Sequence, residues 1–198
     1  AWVEGREQSQ LTEATAGRYL TSSKVSLLAS YMGAKGSFRC PGDTRKISPD
    51  GVSKKEFVAR NYGLNSYVGW NTTKANTGGY SGQGNFNGNY VIFQKISQCA
   101  RPSDIYTFVD IHTFSVCRPF FGINMDEAAV YHVPSDSHGN SSNLAFLDGH
   151  AEAHRWANGG FTKRTGALSS EDGPWHDHHG GIPEVSKVDH AWLKERAT

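Results

Sequence analysis

Long apolar runs are missing from this chain: nowhere in its 198 residues do the roughly 18 to 20 consecutive apolar side chains of a transmembrane helix occur. The opening Ala1-Trp2-Val3-Glu4-Gly5-Arg6-Glu7 is polar from the start, so no signal peptide is expected there. An excess of one charge is missing too. Lys plus Arg (20) nearly balances Asp plus Glu (19), and a net charge of +1 offers no electrostatic footprint for nucleic acid or an anionic membrane. Cysteine is scarce. Cys40, Cys99 and Cys117 allow at most one intramolecular disulfide with one thiol left over. None of them forms a C-x-x-C pair, which argues against a structural zinc site built on thiolates.

What is present is glycine (22 residues) and a modest apolar fraction (37%), the composition of a loop-rich globular chain. Its length suits a single domain over residues 1–198. Leu11, Ala14, Tyr19, Leu20, Leu27, Leu28 and Tyr31 recur at loosely helical spacing and predict helix over 8–32. Gly17 and Thr21-Ser22-Ser23 split it into two pieces. Ile105 to Phe114 predicts a strand, with Ile105, Val109 and Ile111 on one face and Tyr106, Phe108, Asp110, His112 and Phe114 on the other. Residues 71–89, rich in Asn, Gly, Thr and Ser, predict a long surface loop, and Val188 to Arg196 a short helix. The expected class is α+β, a helix packed on an antiparallel sheet with long loops.

The clearest local signal lies at Leu144-Ala145-Phe146-Leu147-Asp148-Gly149-His150, where Asp-Gly between two runs predicts a hairpin with a two-residue turn. That turn pairs Ala145 with Glu152 and Asn143 with His154. It places Phe146, Leu144, Ala151 and Ala153 on an apolar face and Asn143, His150, Glu152, His154 and Trp156 on a polar one.

Several separated segments resemble the pseudopilin proteins associated with prepilin processing. Their signature, a His followed nine residues later by Asp-Gly, is similar to His138 with Asp148 and Gly149. Phe38-x-Cys40-Pro41-x-Asp43 resembles that family's Cys-Pro segment, and Asn61-Tyr62-Gly63-Leu64-Asn65 its Ser-Tyr-x-x-Asn segment. Ile96, Pro102-Ser103 and Asp110 resemble its Pro-Ser strand. The likeness covers about residues 27–156 and leaves 157–198 as a loop-rich C-terminal region. It implies a pilin-like α+β head in the periplasm, on the cell surface or secreted, working with pseudopilus or secretion components. The full-length form would be membrane-anchored by an N-terminal apolar helix. In that oxidising setting the resemblance also makes a disulfide an expectation.

Two functional readings follow. The first is such a head, an interaction module engaging carbohydrate. Trp70, Tyr80, Phe86 and Tyr90 sit among asparagines, and aromatic faces with amide groups suit sugar rings, with an exposed turn-rich loop as the bland alternative. The second is a polysaccharide lyase cleaving acidic glycans by β-elimination, which needs a carboxylate neutraliser, a base and an acid. Its candidate acid–base residues are His138, His150, His154, His112 and Tyr90, and its candidate sugar-binding residues are Asn143, Glu152, Trp156, Trp70 and Arg101. The strand face carrying His150, Glu152 and His154 could also hold a divalent metal ion, although a wet strand face explains it equally. His138 reads either as a loop-tying imidazole or as an acid–base group, and His112 as a buried histidine or a partner of Asp110. His176, His178 and His179 form a Gly-flanked run that attracts metals adventitiously.

Overall fold

The structure is a computed structural model that describes residues 2–3, 11–48, 54–69, 90–116, 118–125, 128–157 and 186–198. The strands are β1 (Tyr62–Asn65), β2 (Tyr106–Asp110), β3 (Phe120–Ile123), β4 (Val130–Tyr131), β5 (Ser141–Phe146) and β6 (Ala151–Arg155). They form one six-stranded sheet in the order β4-β3-β1-β2-β5-β6. All pairings are antiparallel except β1 with β3, so the sheet is mixed rather than antiparallel throughout. The exception follows from the path of the chain. β2 runs back beside β1, and residues 111–119 then cross to the far side of β1, so β3 enters in the direction of β1. The α+β class holds, with a short helix at each end: α1 (Leu11–Ala16) and α2 (Lys187–Glu195).

The expected N-terminal helix is much shorter than the 8–32 periodicity suggests. α1 stops at Ala16 because Gly17 takes a left-handed φ of +63°, and a Cβ there would come within 2.6 Å of Ala59. Residues 18–20 continue as one 3-10 turn. Beyond it only single turns remain, Ser26 N–H to Ser22 O and Met32 N–H to Leu28 O. Between them Leu27 donates its N–H to the carbonyl of Trp2 and Val3 bridges Ser26, so backbone pairing interrupts the second helical piece. Local spacing was outcompeted by the hydrogen bonds that an extended neighbour offered.

Two layers cover the sheet. On one face, Val109, Ile111, Leu144 and Phe146 pack with Tyr67, Tyr106, Phe121, Trp156 and Leu193 in the main core. On the other, Leu64 and Phe108 meet Trp2, Leu20 and Phe38. The indole of Trp2 stacks parallel to Phe38 at 6.0 Å and meets Phe108 edge-on at 5.4 Å. Pairing with β5 shifts register between Tyr106 and Phe108. This bulge turns Tyr106 into the main core, away from the Phe108 face on which strict alternation had placed it.

The hairpin closes one residue differently from the expected register. Phe146 N–H bonds to His150 O at 2.9 Å, Gly149 N–H to Phe146 O at 3.1 Å, and Gly149 has φ +94°. The loop is therefore Leu147-Asp148-Gly149, a turn ending in a left-handed glycine. Ala145 pairs with Ala151, Leu144 with Glu152 and Ser142 with His154. A one-residue slip moves a whole strand to the opposite face. His150, Glu152 and His154 thus share a face with Leu144 and Phe146, and Asn143 lies on the other face with Ala145, Ala151 and Ala153.

Residues 186–198 at the C-terminus are built into the core. Helix α2 is capped by Ser186, whose hydroxyl accepts from Asp189 N–H. Leu193 and Ala197 are fully buried. Arg196 O accepts from Tyr106 N–H at 3.1 Å, and the Asn65 amide donates to both Tyr106 O (2.9 Å) and Ala197 O (2.8 Å). One buried side chain on β1 therefore holds a central strand and the C-terminal tail together. Asn65→Ala strands both carbonyls and is expected to cost about 3 kcal/mol in a denaturant titration. A loss under about 0.5 kcal/mol would mean that the tail is held elsewhere.

Candidate functional site

The face of the sheet that carries Tyr62, Asp110 and Asn143 is where separated segments meet. Tyr62 pairs with Asp110 across β1 and β2, and Asn143 lies on β5 beside them. Above them sits the turn 40–43, closed by Asp43 N–H to Cys40 O (3.3 Å) and by Arg39, which donates to Asp43 O (2.6 Å). Cys40 N–H is fixed by the Asn61 side-chain oxygen at 2.8 Å. From the opposite direction comes the loop before β5, where Gly139 (φ +66°) and Asn140 (φ +65°) take consecutive left-handed conformations. Glycine and asparagine are the residue types that accept this geometry. The turn swings His138 back over the sheet.

His138 Nε2 is the meeting point. It lies 3.1 Å from Cys40 Sγ, 3.0 Å from Asn143 Nδ2 and 3.4 Å from Asp110 Oδ2. The ring rests on Gly42, where a Cβ would stand 3.2 Å from His138 Cε1 and 3.6 Å from Cys40 Sγ. A side chain at this position would press on the ring. The His138 side chain keeps 30% of its surface exposed, whereas Asp110 has none.

Asp110 is the unusual member. Neither carboxylate oxygen has a hydrogen bond of good geometry, although the Cys40 thiol and His138 Nε2 at 3.4 Å face the group. Burial, reinforced by the negative charge of Asp43, pushes its pKa up to about 7, which Arg45 and the adjacent Cys40 thiol only partly offset. Burial and the Asp110 charge also raise the Cys40 thiol, so Cys40 is no activated nucleophile. Burial, with the charge of Asp110 second, raises the Tyr62 phenol further still, against service as a base.

A second network flanks the cluster and holds both loops. Arg45 donates to Asp43 (2.7 Å), to Asp136 (2.9 Å) and to the Ser137 hydroxyl, and Thr113 donates to Asp43 at 2.7 Å. Burial alone would raise the Asp43 carboxyl, but the Arg45 and Thr113 hydrogen bonds outweigh it and keep the group ionised. Arg45 is thus committed to other carboxylates.

Of the residues singled out in the sequence, the structure brings His138 and Asn143 together. The others have separate surroundings. His112 is buried, accepts Phe114 N–H at 3.2 Å, and is held by burial at a pKa of about 4. His150 stacks on Phe146 at 4.3 Å and bonds Asp148 at 2.6 Å. His154 lies against Trp192 (3.6 Å between ring centres) with Trp156 edge-on at 4.9 Å, and Glu152 is exposed beside them. Trp156 also donates its indole N–H to Ser135 O at 2.9 Å. Tyr90 packs edge-on against Tyr67 at 6.3 Å. Arg101 is 81% exposed and pairs with Asp104 at 3.2 Å. Trp70, the 71–89 segment, Cys117 and the His176–His179 run lie outside the described residues. Cys40 and Cys99 are free thiols.

Sequence reasoning missed Cys40 and Asp110 as partners of His138. Cys40 has no C-x-x-C spacing to mark it as a ligand, and in sequence Asp110 stands closest to His112. The available signal was that Cys40, Asp110 and His138 each fall in a different segment of the resemblance. Cys40, Asp110 and His138 each present a donor atom within 4.8 Å of the others, a set capable of holding a metal ion.

No protein-family model, curated protein or solved structure matches the chain.

The aromatic box around His154 has a consequence of its own. Burial lowers this imidazole's pKa despite Asp189 at 4.0 Å and Glu152, with Arg196 pushing the same way as burial. Below the ordinary histidine pKa of about 6.5 the unfolded chain takes up a proton before the folded one does, so stability falls on acidification. Between pH 7 and pH 5 the Tm is expected to drop by a few degrees, and by less in His154→Phe. An equal drop in both proteins would assign the effect to other groups.

Proposed function

We propose that this chain is the folded head of a pseudopilin-like extracytoplasmic protein, an assembly and ligand-engaging module that works by binding rather than by turnover. A divalent cation held by Cys40, Asp110 and His138 belongs to this reading. One observation carries it. The segments that resemble the family's separated motifs, around Cys40, Asn61-Tyr62, Asp110 and His138, fold onto a single cluster. A chance likeness in sequence gives no reason for those segments to converge in space.

The lyase reading draws less support. Its histidines do not gather: His112 is sealed, His150 lies on Phe146 and His154 is packed against tryptophan. A cavity of about 370 Å³ does open beside Tyr62 and Asn143, but Trp2, Leu28, Met32, Phe38 and Phe108 line it. Such a surface suits apolar groups better than a uronic acid. An acidic polysaccharide remains a partner of the head through residues 70–90, whose aromatic and asparagine content is the support for it.

The test is the natural protein isolated from its own cells. Mass-spectrometric sequencing is expected to find an apolar helical segment upstream of this chain, and fractionation to find the protein with the cell envelope. A mature form beginning at Ala1 that releases unsaturated, ultraviolet-absorbing products from uronic-acid polysaccharides would replace the head reading with the lyase.

A further inference from the structure

We infer that the cluster of Cys40, Asp110 and His138 is a site for a thiophilic, zinc-class cation ligated by the Cys40 thiolate, with a fourth position left for water or another small donor. This rests on the cation reading above and narrows it to one class of metal and one mode of binding.

The donor spacing is the first argument. At ordinary zinc bond lengths, nitrogen, oxygen and sulfur donors around a tetrahedral ion stand about 3.4 to 3.6 Å apart. The observed separations are 3.1 Å for Cys40 Sγ to His138 Nε2 and 3.4 Å for Nε2 to Asp110 Oδ2. The imidazole thus stands at nearly tetrahedral-ion spacing from each of the other two donors, and all three lie within 4.8 Å of one another.

The second argument is independent of spacing. Asp110 is fully buried and neither oxygen has a hydrogen bond of good geometry, its near neighbours being the Cys40 thiol and the His138 ring at 3.4 Å. Buried polar groups are nearly always satisfied, and a carboxylate left alone is among the costliest exceptions. Arg45, the guanidinium within range, is spent on Asp43 and Asp136. Meanwhile a thiol, an amide and a carboxylate all crowd His138 Nε2, although a ring nitrogen serves only one hydrogen bond. A cation among the thiol, imidazole and carboxylate answers the carboxylate and the thiol together, and the Asn143 amide then turns to another acceptor.

The donor types select the metal. Magnesium and calcium take six or more oxygen ligands, whereas this set offers one sulfur, one nitrogen and one carboxylate. Thiolate with imidazole favours zinc and its neighbours. Three protein donors with a partly exposed histidine match sites that keep one position open rather than closed four-ligand sites. Two features position the donors: Asn61 fixes the Cys40 backbone, and the bare Gly42 lets the His138 ring lie close. Ligation exchanges the Cys40 S–H bond for a sulfur–metal bond and releases one proton to solvent.

Cobalt(II) titration of the chelator-treated full chain tests this. The expected result is a near-ultraviolet sulfur-to-cobalt charge-transfer band that saturates at one equivalent, is displaced by zinc, and is accompanied by proton release. Cys40→Ser should abolish the band, and His138→Gln should weaken binding by at least roughly tenfold. Asp110→Asn, the mildest change, should keep the band at lower affinity and guards against a Cys40 variant that fails to fold. The His176–His179 run contains no sulfur and cannot produce the band. Stoichiometric cobalt binding without a charge-transfer band, still lost in His138→Gln, would overturn thiolate ligation and leave the cation reading standing. A band that survives Cys40→Ser would place the sulfur elsewhere and overturn the site. Failure of both cobalt and zinc to bind would overturn the inference and the cation reading together.

Discussion

The convergence of Cys40, Asp110 and Asn143 on the imidazole of His138 is the constraint around which this molecule is arranged. Gly139 and Asn140 turn the chain sharply behind the ring, and Gly42, having no side chain, leaves it close room. Its neighbours arrive from the 40–43 turn, the end of β2 and the middle of β5. The N-terminal segment, the centre of the sheet and the hairpin are therefore coupled through one side chain. Arg45 reinforces the same junction from outside by joining the Asp43 turn to the loop at Asp136 and Ser137. Without a cation, the arrangement buries a carboxylate against a thiol and a half-buried imidazole with no hydrogen bond of good geometry, which is a costly way merely to hold a loop.

The two faces of the sheet divide the labour. The face toward α2 is packing: Phe146, Leu144, Trp156 and Leu193 bury one another, and His150 and His154 serve there as flat apolar-sided rings against Phe146 and Trp192. The opposite face carries the polar cluster at one end and the apolar cavity beneath Trp2 and Phe38 at the other. Tyr62 and Asn143 stand between them. Chemistry and an apolar recess thus share an edge, while the more conspicuous histidine row contributes to stability.

What could be read from the sequence follows the range of the forces involved. The α+β class, the hairpin, the strand through Val109 and the terminal helix were legible because each depends on near neighbours and on periodicity. The hairpin register was not. Asp148-Gly149 suits a two-residue turn, yet the chain adds Leu147 to the loop, and that one residue exchanged the faces of every side chain on β6 relative to Asn143. The second half of the N-terminal helix failed for a related reason, since the pairing of Trp2 and Val3 with Ser26 and Leu27 joins residues too distant for periodicity to show. His138 was visible as part of a motif, but Cys40 and Asp110 lie 98 and 28 positions away from it, and only the fold states that the three are one site.

X-ray absorption at the zinc edge of the metal-loaded protein tests the central claim most directly. The account predicts one sulfur scatterer at about 2.3 Å with the remaining nitrogen and oxygen donors at about 2.0 to 2.2 Å, including the outer-shell signature of a single imidazole. A shell of nitrogen and oxygen alone, or one dominated by several imidazoles, would contradict it.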